Sequence, residues 1–125
     1  MGRNFRSIKA WQFADDLVVA VYKATADFPA EEKYGLISQM RRAVVSVPAN
    51  IAEGATRQSY KEYLQFLYVA KGSLAELEYY LHLSHRLGLL SETWHRRLVE
   101  LQQHAGRTLH GLLQSVHNDN LSPVS

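Results

Sequence analysis

The chain has no cysteine, which removes disulfides, zinc ribbons and thiol catalysis together and fits a reducing compartment. Proline is scarce, at positions 29, 48 and 123 only, so long uninterrupted helices are permitted. Neither sign of charge is in excess: 14 basic and 12 acidic residues leave a net +2, no strong electrostatic footprint for nucleic acid. In a homo-oligomer, however, that charge multiplies and can gather on one face. Long apolar runs are missing as well. Stretches such as Leu17 to Tyr22 are far too short to cross a bilayer. After the opening Met1-Gly2-Arg3-Asn4-Phe5-Arg6, the residues Lys9, Gln12, Asp15 and Asp16 interrupt any apolar stretch. Neither a signal peptide nor a membrane partner is expected, and the expected location is cytoplasmic.

What remains is a chain of 125 residues, long enough for one domain with a real core. Hydrophobic residues make up 46% and charged residues 21%, values of a globular fold rather than a disordered one. Four segments carry apolar residues at three- and four-residue spacing, and no strand-like alternation competes with them. The first runs from about Ser7 to Phe28, with Trp11, Ala14, Leu17, Val18, Val21, Thr25 and Phe28 on one side, and Pro29 ends it. The second starts between Glu31 and Leu36 with Leu36, Met40, Val44, Val47 and Ile51 inward, and Gly54 reads as its stop. Ser59-Tyr60-Lys61-Glu62 is a capping-box pattern that opens the third, which continues through Tyr63, Phe66, Leu67, Ala70, Leu74, Leu77 and Leu81 to Gly88. The fourth opens at Ser91 and repeats Trp94, Leu98, Leu101, Ala105, Leu109, Leu112 and Val116. Long helices on short links leave antiparallel neighbours as the solution. The expected fold is all-α, an up-and-down antiparallel four-helix bundle over residues 7–117. A basic arm (1–6) precedes it and a frayed tail (118–125) follows.

The second helix has more faces than a monomer needs. Opposite its inward stripe lie Ser38, Val45, Ala49 and Ala52, small enough to let another helix approach, which points to self-association. The alternative is that Val45 and the alanines are merely helix formers facing water. Between the two faces runs a polar line, Gln39, Arg42, Ser46, Asn50 and Glu53. It reads as a buried or half-buried ladder fixing helix register, with Arg42 and Glu53 paired, in preference to a binding site. Pro48 frees the carbonyl of Val44, for which Ser46 or Asn50 is the nearby polar partner.

Six histidines invite a metal search. Glu78, His82 and His85 share one helix face, and Glu92-Thr93-Trp94-His95 spells Glu-x-x-His. A di-iron bundle needs that motif twice, and here it occurs once, at a helix start. No metal is expected. There is no Gly-x-Ser-x-Gly elbow and no phosphate-binding glycine loop, so neither catalysis nor a cofactor is expected. The surface with functional character is basic and aromatic: Arg57, Lys61, Tyr68, Lys71, Tyr79 and Arg86 fall in one sector of the third helix. Tyrosines among cations suit base stacking and phosphate contact with RNA or DNA. Arg96, Arg97 and Arg107 on helix four, and Arg3, Arg6 and Lys9 at the start, add to it. The competing reading is ordinary ion pairing with the flanking Glu62 and Glu78.

Several longer strings coincide with a known pattern. They are Trp11, Ala14, Leu17 and Tyr22, then Phe28-Pro29, Glu32 and Gly35-Leu36. At the centre stand Gln39-Met40-Arg41-Arg42-Ala43 and Ser46-Val47-Pro48-Ala49-Asn50-Ile51-Ala52-Glu53-Gly54. Phe66-Leu67 and Ala70-Lys71-Gly72-Ser73-Leu74-Ala75-Glu76-Leu77-Glu78 follow. Over about residues 5 to 115 the chain resembles the four-helix bundle proteins encoded in 23S rRNA intervening sequences, also labelled an S23 ribosomal protein family. The resemblance implies a bundle assembled as a homopentameric ring. It also implies kinship with the accessory protein of diversity-generating retroelements, which binds a reverse transcriptase. The expectation is a non-enzymatic homo-oligomer that binds RNA or DNA through basic faces. The alternative is a scaffold that docks a protein partner and never touches nucleic acid.

Overall fold

The computed structural model describes residues 3–122. Four helices dominate: α1 (Lys9–Thr25), α2 (Ser38–Ala55), α3 (Tyr60–Arg86) and α4 (Glu92–Leu121). Each packs along its sequence neighbour, and α1 closes the square against α4, while the diagonal pairs make little contact. Successive helices run antiparallel. Arg41 near the start of α2 reaches Tyr22 and Thr25 at the end of α1, Gly54 at the end of α2 meets Tyr63 and Phe66 at the start of α3, and His85 at the end of α3 meets Glu92 at the start of α4.

The core is a column of aliphatic residues one or two turns apart, among them Leu17, Val21, Met40, Val44, Ile51, Leu67, Leu77, Leu98 and Leu109, all 2% exposed or less. In α4 the inward position near the end belongs to Leu113, 5% exposed, and Leu112 is half-buried beside it.

The helix starts follow their sequence signals. Ser59 accepts from the Glu62 N–H at 3.1 Å and Ser91 from the Trp94 N–H at 3.1 Å. The stops divide. Gly88 adopts φ +74°, with the Leu89 N–H on the Ser84 carbonyl (2.9 Å) and the Gly88 N–H on the His85 carbonyl (3.1 Å), a Schellman turn. Gly54, expected as the stop of α2, is an interior helical residue with Ala55 after it. Its reason is proximity: a Cβ there would stand 2.8 Å from Phe66 Cβ and 3.0 Å from Tyr63 Cδ1. The link from α1 is ordered too, as a 3₁₀ turn (Ala30–Glu32) and a π turn (Lys33–Ile37) kinked at Gly35. Phe28 anchors it in the core at 6% exposure.

Two terminal expectations change. A 3₁₀ turn (Phe5–Ser7) capped by Asn4 folds the start onto the bundle, and α4 continues through Asn118 to Leu121 rather than fraying at 118. Met1-Gly2 of the expected arm and Pro123-Val124-Ser125 of the expected tail lie outside the described residues. Among the described residues no helix is long and apolar enough to cross a membrane.

Candidate interaction surfaces

The polar line of α2 faces α3 and is met there by a matching strip. Ser46 and Ser73 share a hydrogen bond at 2.8 Å, and the Asn50 amide donates to Ser46 Oγ (2.9 Å) and to the Ser46 carbonyl (2.7 Å). Arg42 pairs with Glu76, which also accepts from the Tyr80 hydroxyl at 2.9 Å, while Gln39 accepts from Arg42 at 3.0 Å. The Glu76 hydrogen bond holds the Tyr80 phenol above its ordinary pKa. Arg42 and Glu53 do not pair with each other, because about three helical turns separate them. Glu53 takes Arg57 at 3.0 Å instead. The partner foreseen for the Val44 carbonyl is also elsewhere, since Asn50 spends its amide on Ser46.

Outside this seam the second apolar face is open. Val45 is 40% exposed, Ala49 and Ser38 are exposed and Ala52 is half-buried. On α3, Val69 is 52% exposed. The register set by Ser46–Ser73 and Gly54–Phe66 places Val69 level with Asn50 and Ile51, next to Ala49. The open face thus spans both helices.

Five of the six residues of the basic-aromatic sector share one side of the bundle. Lys61, Tyr68, Lys71, Tyr79 and Arg86 are all exposed on the outer side of α3. Lys61, Lys71 and Arg86 make no ion pair among the described residues, so the competing reading of ion pairing with Glu62 and Glu78 is not what forms there. Arg57 does not belong to this sector. Its guanidinium lies 4.6 Å over the Phe66 ring on the α2 side and its Nε is buried. Arg97 lies across the bundle, in a hollow between α1 and α4 with Asp16 and Lys23, and Arg107 bonds His104, which stacks on Phe13 of α1.

Arg3 is not a free arm residue either. It donates to the carbonyls of Ala55 (3.3 Å) and Arg57 (2.7 Å) and sits 4.6 Å over the Tyr63 ring. Burial raises the Tyr63 phenol, and the Arg3 charge opposes that shift. Arg41 does the same for α1, donating to Thr25 Oγ1 (3.0 Å) and the Tyr22 carbonyl (3.3 Å) over the Tyr22 ring. These two arginines supply donors to helix C-termini from another part of the chain, a role with no local sequence signal.

The turn between α3 and α4 gathers residues that stand apart in the sequence. His85 Nε2 lies 2.7 Å from Glu92 Oε1, and the His85 and His95 rings stack at 3.7 Å with 7° between their planes. His82 lines the same hollow. The His85 hydrogen bond and charge hold the Glu92 carboxyl below its ordinary value. Burial and the adjoining His85 hold the His95 imidazole below its own. The available signal was the short link from Leu87 to Ser91: such a hairpin must bring the last turn of one helix beside the first turn of the next.

A family model described as 23S rRNA-intervening sequence protein matches residues 6–111. Among solved structures, a protein of unknown function from the S23 ribosomal protein family of Bacteroides thetaiotaomicron VPI-5482 has the same fold. Its TM-score is 0.77 at 20% identity, over 84% of this chain and 95% of that one. Comparison with curated proteins gives no match.

Proposed function

The chain belongs to the 23S rRNA-intervening sequence protein family, and we propose that it works as a non-enzymatic, self-associating scaffold presenting the outer side of α3 to RNA or DNA. The observation that carries this reading is the set of cations there that make no ion pair among the described residues. Lys61, Lys71 and Arg86 stand beside Tyr68 and Tyr79, which are 54% and 58% exposed. Cations without carboxylate partners are available to phosphates, and exposed phenol rings to bases. The open face of Val45, Ala49 and Val69 supports assembly, and a ring of five would multiply the modest net +2 and repeat the α3 surface around the ring.

The test is fluorescence anisotropy of labelled single-stranded and duplex RNA and DNA, at low and near-physiological salt, beside light scattering of the protein. The expected result is binding that weakens steeply with salt. Joint replacement of Lys61, Lys71 and Arg86 by alanine should lower the log–log salt slope by about one for each phosphate no longer neutralised. Absence of binding at both salts, or binding indifferent to the triple substitution, overturns the nucleic-acid half and turns attention to a protein partner. A monomer at micromolar concentration overturns the assembly half.

A further inference from the structure

Two imidazoles and a carboxylate converge where α3 hands over to α4. We propose that His85, Glu92 and His95 form a surface site for a late first-row divalent cation, Zn²⁺ in the first instance. The donor set is the ground for this. Neutral imidazole nitrogen and carboxylate oxygen are the ligands such ions take in sites with three protein donors, and water completes the shell.

The donor atoms are brought close together by the fold, though not yet aimed at a common point. One donor atom from each residue lies within 4.8 Å of the others. A tetrahedral zinc shell needs separations of about 3.4 Å between donors each roughly 2.0–2.1 Å from the ion. The His85 and His95 rings lie parallel, so one must turn out of the stack before both nitrogens can face a single ion, and the exposure of the His85 and Glu92 side chains, 35% and 77%, leaves room for that turn. The backbone beneath them is already set. The Gly88 turn ends α3, Leu90 is buried at 5%, and Ser91 caps α4. Glu92 and His95 lie three residues apart, so they project from one face of α4 toward His85. His82, one turn before His85, lines the same hollow. Without a metal the same groups make one hydrogen bond and one ring stack.

The experiment is calorimetric titration of Zn²⁺ into the untagged full chain, with Co²⁺ as a spectroscopic probe and thermal unfolding as a second readout. The expected result is one ion per chain, visible Co²⁺ absorption of a low-coordinate site, and a melting midpoint raised by Zn²⁺ and not by Mg²⁺. His85→Ala, His95→Ala and Glu92→Gln should each weaken binding by about ten-fold or more, and His117→Ala should leave it unchanged. All four positions are outside the packed core, and circular dichroism of each metal-free variant verifies its helicity. Absence of stoichiometric binding overturns the proposal and leaves the cluster a plain helix-hairpin contact. Binding that persists undiminished in His95→Ala overturns it equally.

Discussion

The two sides of α3 are built to opposite rules. Toward α2 the contact is close and polar: Gly54 admits Phe66 and Tyr63, Ser46 bonds Ser73, and Arg42 pairs with Glu76. Toward α4 the contact is looser, and hollows open along it. One is lined by Lys71, Leu74, Glu78, Gly106, His110 and Leu113, and another holds the histidine cluster. Small residues on facing helices set how near two backbones come, and nearness decides whether short polar side chains can reach one another. Where they reach, register is locked. Where they do not, the helices leave room for water, a ligand or a cation. The contrast is between a locked α2–α3 contact and an α3–α4 contact with open hollows.

The comparison breaks most sharply at its glycines. Gly54→Ala forces a Cβ to within 2.8 Å of Phe66 Cβ, an atom tied to its own backbone and unable to swing away. It should destabilise the fold by about 1–3 kcal/mol in urea unfolding at fixed protein concentration, and a neutral result would mean the α2–α3 contact is looser than described. A smaller effect resides in the serine pair. Ser46→Ala and Ser73→Ala, taken singly and together, should show a coupling of about 0.5–1.5 kcal/mol in a double-mutant cycle. Additive effects would remove the pair as a register lock. The smallest effect has the opposite sign. At Gly106 a Cβ would meet Leu74 Cδ2 at an ordinary 3.7 Å, so Gly106→Ala should stabilise by about 0.5–1 kcal/mol through helix propensity alone. Destabilisation there would show that the α3–α4 hollow is less roomy than the contrast with α2–α3 suggests.

Much of this architecture was legible in the sequence, and the reasons are local. Ser59 and Ser91 announce helices because capping involves residues three apart, and the inward stripe of α2 needs only its own period. Gly54 and Gly88 show where legibility ends. Both look like helix stops, yet one turns the chain through positive φ and the other makes space for Phe66 on the facing helix. Only the facing residues distinguish them. The surface sector on α3 was readable for the residues within the helix, and Arg57 was misplaced because it precedes α3 and folds back over Phe66. His85 and Glu92-x-x-His95 were each visible, but their meeting depends on the path of a turn, not on either helix.

The closing contact of α1 against α4 carries a topological consequence. Four antiparallel helices in a square return the chain to the end where it began, so the order of helices is cyclic and the covalent gap lies at one corner of the square. Moving that gap, by joining the ends through a short linker and cutting within residues 56–59, would preserve all four neighbouring pairs. A circularly permuted chain that starts at α3 is therefore a connectivity this square allows, with the ends relocated to the α2–α3 corner.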